Sequence, residues 1–177
     1  MVSATTATTI TTNVRQNLYE ALQRIMDKIG CENILDTQVP PITTYEQLID
    51  LLRVDEGLEQ HKLEAWFIGR DKFSNDPLRR GTFTRYDQHH RVEITGLAWK
   101  ENFRESYEYI QDQGELLART LEKNKSLGST QSNPSIQEIS NVEVIYGWGP
   151  HAGEVYVYKV GLMFNVLVGL EEAGGRV

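Results

Sequence analysis

The residues with the means to do chemistry in this chain are few, and their spacing works against it. His61, the adjacent His89 and His90, and Glu93 are of metal-ligating types. Successive side chains of an extended segment point to opposite faces, so His89 and His90 do not easily share one ion, and no metal site is expected. Cys31, the single cysteine, follows a helical pattern directly, and a helix C-terminus disfavours a thiolate; it reads as a small buried residue. Glu101 with Glu105, and Glu171 with Glu172, lack the apolar setting that splits the pKa values of paired acids, and read as solvated surface. The phosphate loop Gly-x-x-x-x-Gly-Lys-Ser/Thr, the elbow Gly-x-Ser-x-Gly, and the pairs His-Glu-x-x-His and Cys-x-x-Cys are all absent. Neither a catalytic residue nor a cofactor is expected, and the chain does not read as an enzyme.

One segment stands apart in charge. Between Arg70 and Arg91 lie Arg70, Lys72, Arg79, Arg80, Arg85 and Arg91 against Asp71, Asp76 and Asp87, in a chain of net charge -7. Three readings are open: a solvated loop, docking onto an acidic patch of a neighbouring subunit, or contact with nucleic acid passing nearby. Docking fits the overall negative charge better, because strong phosphate binding needs clustered Lys and Arg over a broad surface. The candidate subunit-interface residues are therefore Arg70, Lys72, Arg79, Arg80 and Arg85, together with Trp148, His151 and Lys159 further along.

Positioning these residues requires a sheet and helices. Val14, Leu18, Leu22, Ile25, Met26 and Ile29 recur at helical spacing, with Asn13 as N-cap and Gly30 as terminator. After Pro40-Pro41, the residues Tyr45, Leu48, Ile49 and Leu52 mark a short second helix. His61 to Gly69 and Arg91 to Trp99 read as strands, separated by a long segment of loop or projecting hairpin carrying Asp76-Pro77 and Gly81. Glu101 to Lys123 is a helix roughly 35 Å long whose stripe is Phe103, Tyr107, Ile110, Leu117 and Leu121, with Gly114 in place of an apolar residue.

Ile139 to Tyr146 alternates as a third strand, and Gly147 to Gly153 reads as a turn. Glu154 to Leu170 is the last strand: its even positions, from Tyr156 to Leu170, are all apolar or aromatic, while its odd positions include Lys159, Gly161, Asn165 and Gly169. Such a strand spans roughly 56 Å, so it either bends at Gly161 or projects to meet another subunit.

The expected architecture is α+β: a mixed or antiparallel sheet, one long central helix, and an N-terminal amphipathic helix packed on it. Residues 1–12, rich in Ser, Thr and Ala, read as a mobile arm; residues 13–170 form a single domain, and residues 171–177 a tail. No apolar run approaches the roughly 20 residues that cross a bilayer, and one cysteine excludes an intramolecular disulfide, which suits folding in cytoplasm.

The order of these elements resembles the bacteriophage tail-terminator family, which shares an α+β fold with tail-tube proteins. The likeness runs from about Asn13 to Leu170. It rests on the Arg91 to Trp99 strand leading straight into the Phe103 helix, and on the final Val-Tyr-Lys-Val-Gly-Leu-Met-Phe-Asn-Val strand. The resemblance implies a hexameric ring with a continuous inner sheet, closing a finished tail and joining it to the neck or connector while DNA passes through its lumen. It also implies a virion location, in tail or neck, after assembly in the host cytoplasm. A head-tail connector or neck adaptor is the near alternative. A cellular small-molecule-binding domain, with Trp66, Trp99, Trp148 and several tyrosines lining a pocket between helix and sheet, is the distant one.

Overall fold

A computed structural model describes residues 4–52, 63–80, 83–99, 102–127, 135–152 and 155–173. In chain order the elements are α1 (Ala4–Lys28), β1 (Ile34–Leu35), α2 (Tyr45–Leu52), β2 (Leu63–Arg80), β3 (Phe83–Trp99), α3 (Phe103–Lys123), β4 (Ser135–Ala152) and β5 (Val155–Ala173). The five strands form one sheet in the order β1-β2-β3-β5-β4. Only β1 and β2 run parallel, so the α+β sheet is mixed.

Helix α1 buries Val14, Leu18, Ala21, Leu22, Ile25 and Met26 in a single stripe. It begins at Ala4 rather than at an Asn13 cap. Threonine lowers helix stability by only tenths of a kcal/mol per residue, so a helix already nucleated by its packed half propagates through the Thr-rich segment. Its other end is closed at Gly30, with φ +86°. There the Cys31 N–H donates to the Met26 carbonyl at 3.0 Å and the Gly30 N–H to that of Asp27 at 3.1 Å, a Schellman closure that needs a residue without Cβ strain.

Helix α3 starts at an Asn102 cap, whose Oδ1 accepts from the Glu105 N–H at 3.0 Å while its Nδ2 donates to Glu105 Oε1 at 2.9 Å. The gap that Gly114 leaves in the apolar stripe has a packing reason. A Cβ there would stand 2.6 Å from Val160 Cγ2, so the glycine lets α3 settle onto β5.

Three strand boundaries differ from the sequence reading. The segment Arg70 to His90 is strand along nearly its whole length: β2 and β3 pair from Leu63 with Trp99 to Arg80 with Phe83, a projecting hairpin rather than a loop. Arg79-Arg80 and Asp76-Pro77 break its alternation, but pairing with β3 carries β2 through them. Beyond Phe67, β2 is an outer strand, where proline is tolerated. Strand β4 likewise runs through the expected turn to Ala152. It absorbs Gly149-Pro150 in a bulge between Trp148 and His151. Strand β5 does not slip at Gly161; its pairing with β3 continues without a register shift from Tyr158 to Ala173.

The sheet has two unequal faces. On one, the even positions Tyr158 to Val168 of β5 join Trp66, Ile94 and the stripes of α1 and α3 in the larger core. On the other, α2 packs Leu48 and Leu52 over Ala65, Phe67, Leu97 and Val157 at one end of the sheet. Burying each large side chain contributes roughly 1.5–3 kcal/mol.

A buried carboxylate ties these layers together. Glu64 accepts from the Glu32 N–H at 2.7 Å, from Trp66 Nε1 at 3.3 Å and from the Tyr109 hydroxyl. Burial first, and then the bond to Glu64, pushes the Tyr109 phenol pKa up. Turn, strand and α3 therefore share one polar node, and a buried acid with several donors is held rather than orphaned.

Candidate assembly interface

Among the described residues, one half of the sheet face opposite α1 and α3 lies beyond the cover of α2. Residues directly opposite one another share a face, which places Glu143 beside Met163 and Glu93, Ile145 beside Gly161 and Thr95, and Asn165 beside Arg91. Ile145 is 53% exposed. Glu143, Asn165, His89 and Arg91 are also exposed on this face. Charges here meet only loosely: Lys159 Nζ lies 4.0 Å from Glu93 Oε1, and Arg91 Nε 4.0 Å from Asp71 Oδ2. Exposed pairs of this kind contribute about 0–1 kcal/mol each, so they remain available for exchange with other charges.

A second exposed feature caps the β4 edge on the helix-covered face. Trp148, 57% exposed, stacks on Tyr158 with ring centroids 4.7 Å apart. Tyr107 of α3, 40% exposed, meets Tyr158 edge-on at 5.2 Å. With Ile110, Tyr146 and Lys159 these rings border a cavity of about 290 Å³. Exposed aromatic clusters of this kind are the usual anchors of protein interfaces.

The edges of the sheet complete the site. Strand β4 is outermost on one side, and β2 beyond Phe67 on the other. Three register shifts interrupt β4, and Glu138 and Glu143 stand on it, both devices that limit indiscriminate edge pairing.

The structure distributes the sequence-derived interface residues unevenly. Lys159 stands on the open face and also borders the Trp148 cavity, so these two come together. Lys72 is exposed opposite Arg91. Arg79, Arg80 and Arg85 lie near the end of the β2–β3 hairpin, with Arg85 opposite Glu171; their side chains, like that of His151, fall outside the described residues. Arg70 is not a surface group of the hairpin. A shift between Arg70 and Lys72 sets it opposite Val92 on the helix-covered face, where burial first and Arg15 second lower its pKa.

His89 and His90 fall on opposite faces, the first exposed and the second 1% exposed. Among the described residues, no cluster of three metal-ligating side chains occurs. Trp66 is buried in the larger core and Trp99 packs on the α2 cluster, so neither shares a cavity with Trp148.

Sequence reasoning set several tyrosines beside Trp148 without singling out Tyr107, Tyr146 and Tyr158, and it missed Ile145 and Met163 as open-face residues. The signal for the aromatics was present in part: Val144, Tyr146 and Trp148 share the parity of one β4 face. No protein-family model matches the chain, and no curated protein matches it. Among the described residues, no helix is long and apolar enough to cross a membrane.

Proposed function

We propose that this chain is a virion structural protein, a ring-forming tail terminator that caps a tail tube and joins it to the neck or connector. The observation that carries the reading is the half-face of the sheet that no described helix covers, built on a 19-residue strand whose pairing with β3 runs without a register shift from Tyr158 to Ala173. A monomer gains nothing by exposing Ile145 on the same face as a half-buried Met163, whereas a ring lines its lumen or its subunit contacts with such a face. The mixed, loosely paired charges on that face suit a conduit through which DNA slides without tight phosphate binding. Hexameric closure and a tail or neck location belong to the same proposal.

Negative-stain microscopy of the purified chain tests it. Closed rings with a central opening support the terminator reading. Compact particles of single-subunit size over a wide concentration range overturn it.

A further inference from the structure

Tyr146 and Trp148 are two residues apart on β4 and stand on the same face of the sheet, opposite Val160 and Tyr158 of β5. Gly147 between them adds no side chain. Helix α3 passes beside them: at Gly114 an added Cβ would stand 3.5 Å from Tyr146 Cε1. One turn earlier on that helix, Ile110 and Tyr107 border the same cavity of about 290 Å³ as the two rings. Tyr107 meets Tyr158 edge-on and Tyr158 stacks on Trp148, yet Trp148 stays 57% exposed and Tyr107 40%. Aromatic surface is therefore presented to whatever enters.

The surroundings of this cavity are negative. Burial first, and then Glu115, raise the pKa of the Tyr146 phenol, and Asp112 adds to the rise. Arg119 opposes them, but it is engaged with Glu115 at 2.9 Å. Lys159 is the charged residue in the lining, and its Nζ lies 4.0 Å from Glu93 Oε1 of the open face. Asp112, Glu115 and Glu93 against Arg119 and Lys159 leave an excess of one negative charge. The rings add to it, because an aromatic quadrupole places negative potential over the ring faces.

We propose that this cavity is a binding site for one organic cation of the quaternary ammonium or guanidinium class. Such cations are weakly hydrated, so ring faces can take the place of their water, whereas a compact ammonium holds its shell. Phosphate and carboxylate ligands are disfavoured by the same negative surroundings. The volume lies just below the usual range for small-ligand sites, which suits a group of few heavy atoms. The cation is borne either by a free quaternary ammonium compound or by an arginine side chain of another polypeptide, and both offer the rings the same chemistry.

The test titrates the full chain with choline, followed by proton NMR of the trimethylammonium resonance at constant ionic strength, and in parallel with the uncharged tert-butyl analogue of choline. The expected result is saturable choline binding, at least tenfold tighter than that of the analogue and weakened at least tenfold by Trp148→Ala. Trp148→Phe, which keeps a ring of weaker quadrupole, falls between. Asp112→Asn weakens choline severalfold and leaves the analogue unchanged. Binding that fails to saturate, an analogue that binds as tightly as choline, or a choline affinity that neither Trp148→Ala nor Tyr107→Ala alters overturns the site. Both rings are exposed, so these variants report on the cavity rather than on folding.

Light scattering in saturating choline then separates the two sources. Assemblies that choline dissociates assign the cation to a neighbouring chain, and assemblies indifferent to it assign a free cation. Saturable binding by a chain that never assembles keeps the site and removes the ring reading, whereas rings that bind no choline remove the site alone.

Discussion

His90 is the residue whose protonation this fold accommodates least. It is buried beside Gln88, with Nε2 3.1 Å from Gln88 Oε1. Burial above all, then Arg70 and His89, lower its pKa from 6.5 to about 4. Because the unfolded chain binds the proton more readily, the neutral form's contribution is complete above pH 6.5 and is lost as pH falls toward 4. The loss is on the order of 3 kcal/mol. Urea unfolding at pH 7.5 and pH 4.5 measures it, and His90→Leu should remove most of that difference. The split between His89 and His90 was legible in the sequence, since adjacent strand residues must diverge. The fate of Arg70 was not, because a single bulge moves an arginine from the expected surface to the covered face, and nothing in its neighbours announces that shift. Trp148 carries a second prediction at this scale. Trp148→Ala should leave the melting temperature within a few degrees, because the ring is largely exposed, while weakening self-association by roughly 30-fold or more. Sedimentation across a dilution series reads both the assembly and its loss.

The β2–β3 hairpin is where sequence and structure part most clearly. Composition marked Arg70 to His90 as irregular, because paired arginines and an Asp-Pro step erase the period-two pattern that identifies a strand. What holds it extended is non-local: β3 lies between β2 and the C-terminal half of β5 throughout that stretch. The helices were easier, since their apolar stripes are local, and even the break at Gly114 marked a real contact. Asp76 and Asp87 stand directly opposite each other, which permits a clean shortening. Replacing residues 77–86 with Asn-Gly, a pair suited to a two-residue hairpin turn, should keep the fold, as judged by circular dichroism and a melting temperature within a few degrees. The same change should reduce self-association if the hairpin end is an interface. Unchanged assembly would remove Arg79, Arg80 and Arg85 from the contact.

Among the described residues of the whole molecule, the sheet is covered on one side by α1 and α3 and on the other, at one end, by α2. That asymmetry was half visible beforehand: the even positions of the last strand are uniformly apolar and the odd ones mixed, which predicts one packed and one different face. How much of the odd face α2 would cover was not visible, because it depends on where a short helix lands after Pro40-Pro41. The short parallel strand β1 was equally hidden, two residues being too few to show a period. Self-assembly through the uncovered face is the central claim. Static light scattering of the full chain over a concentration series tests it most directly. A plateau at a fixed multiple of the 20.2 kDa subunit mass agrees with it, and a constant single-subunit mass at every concentration contradicts it.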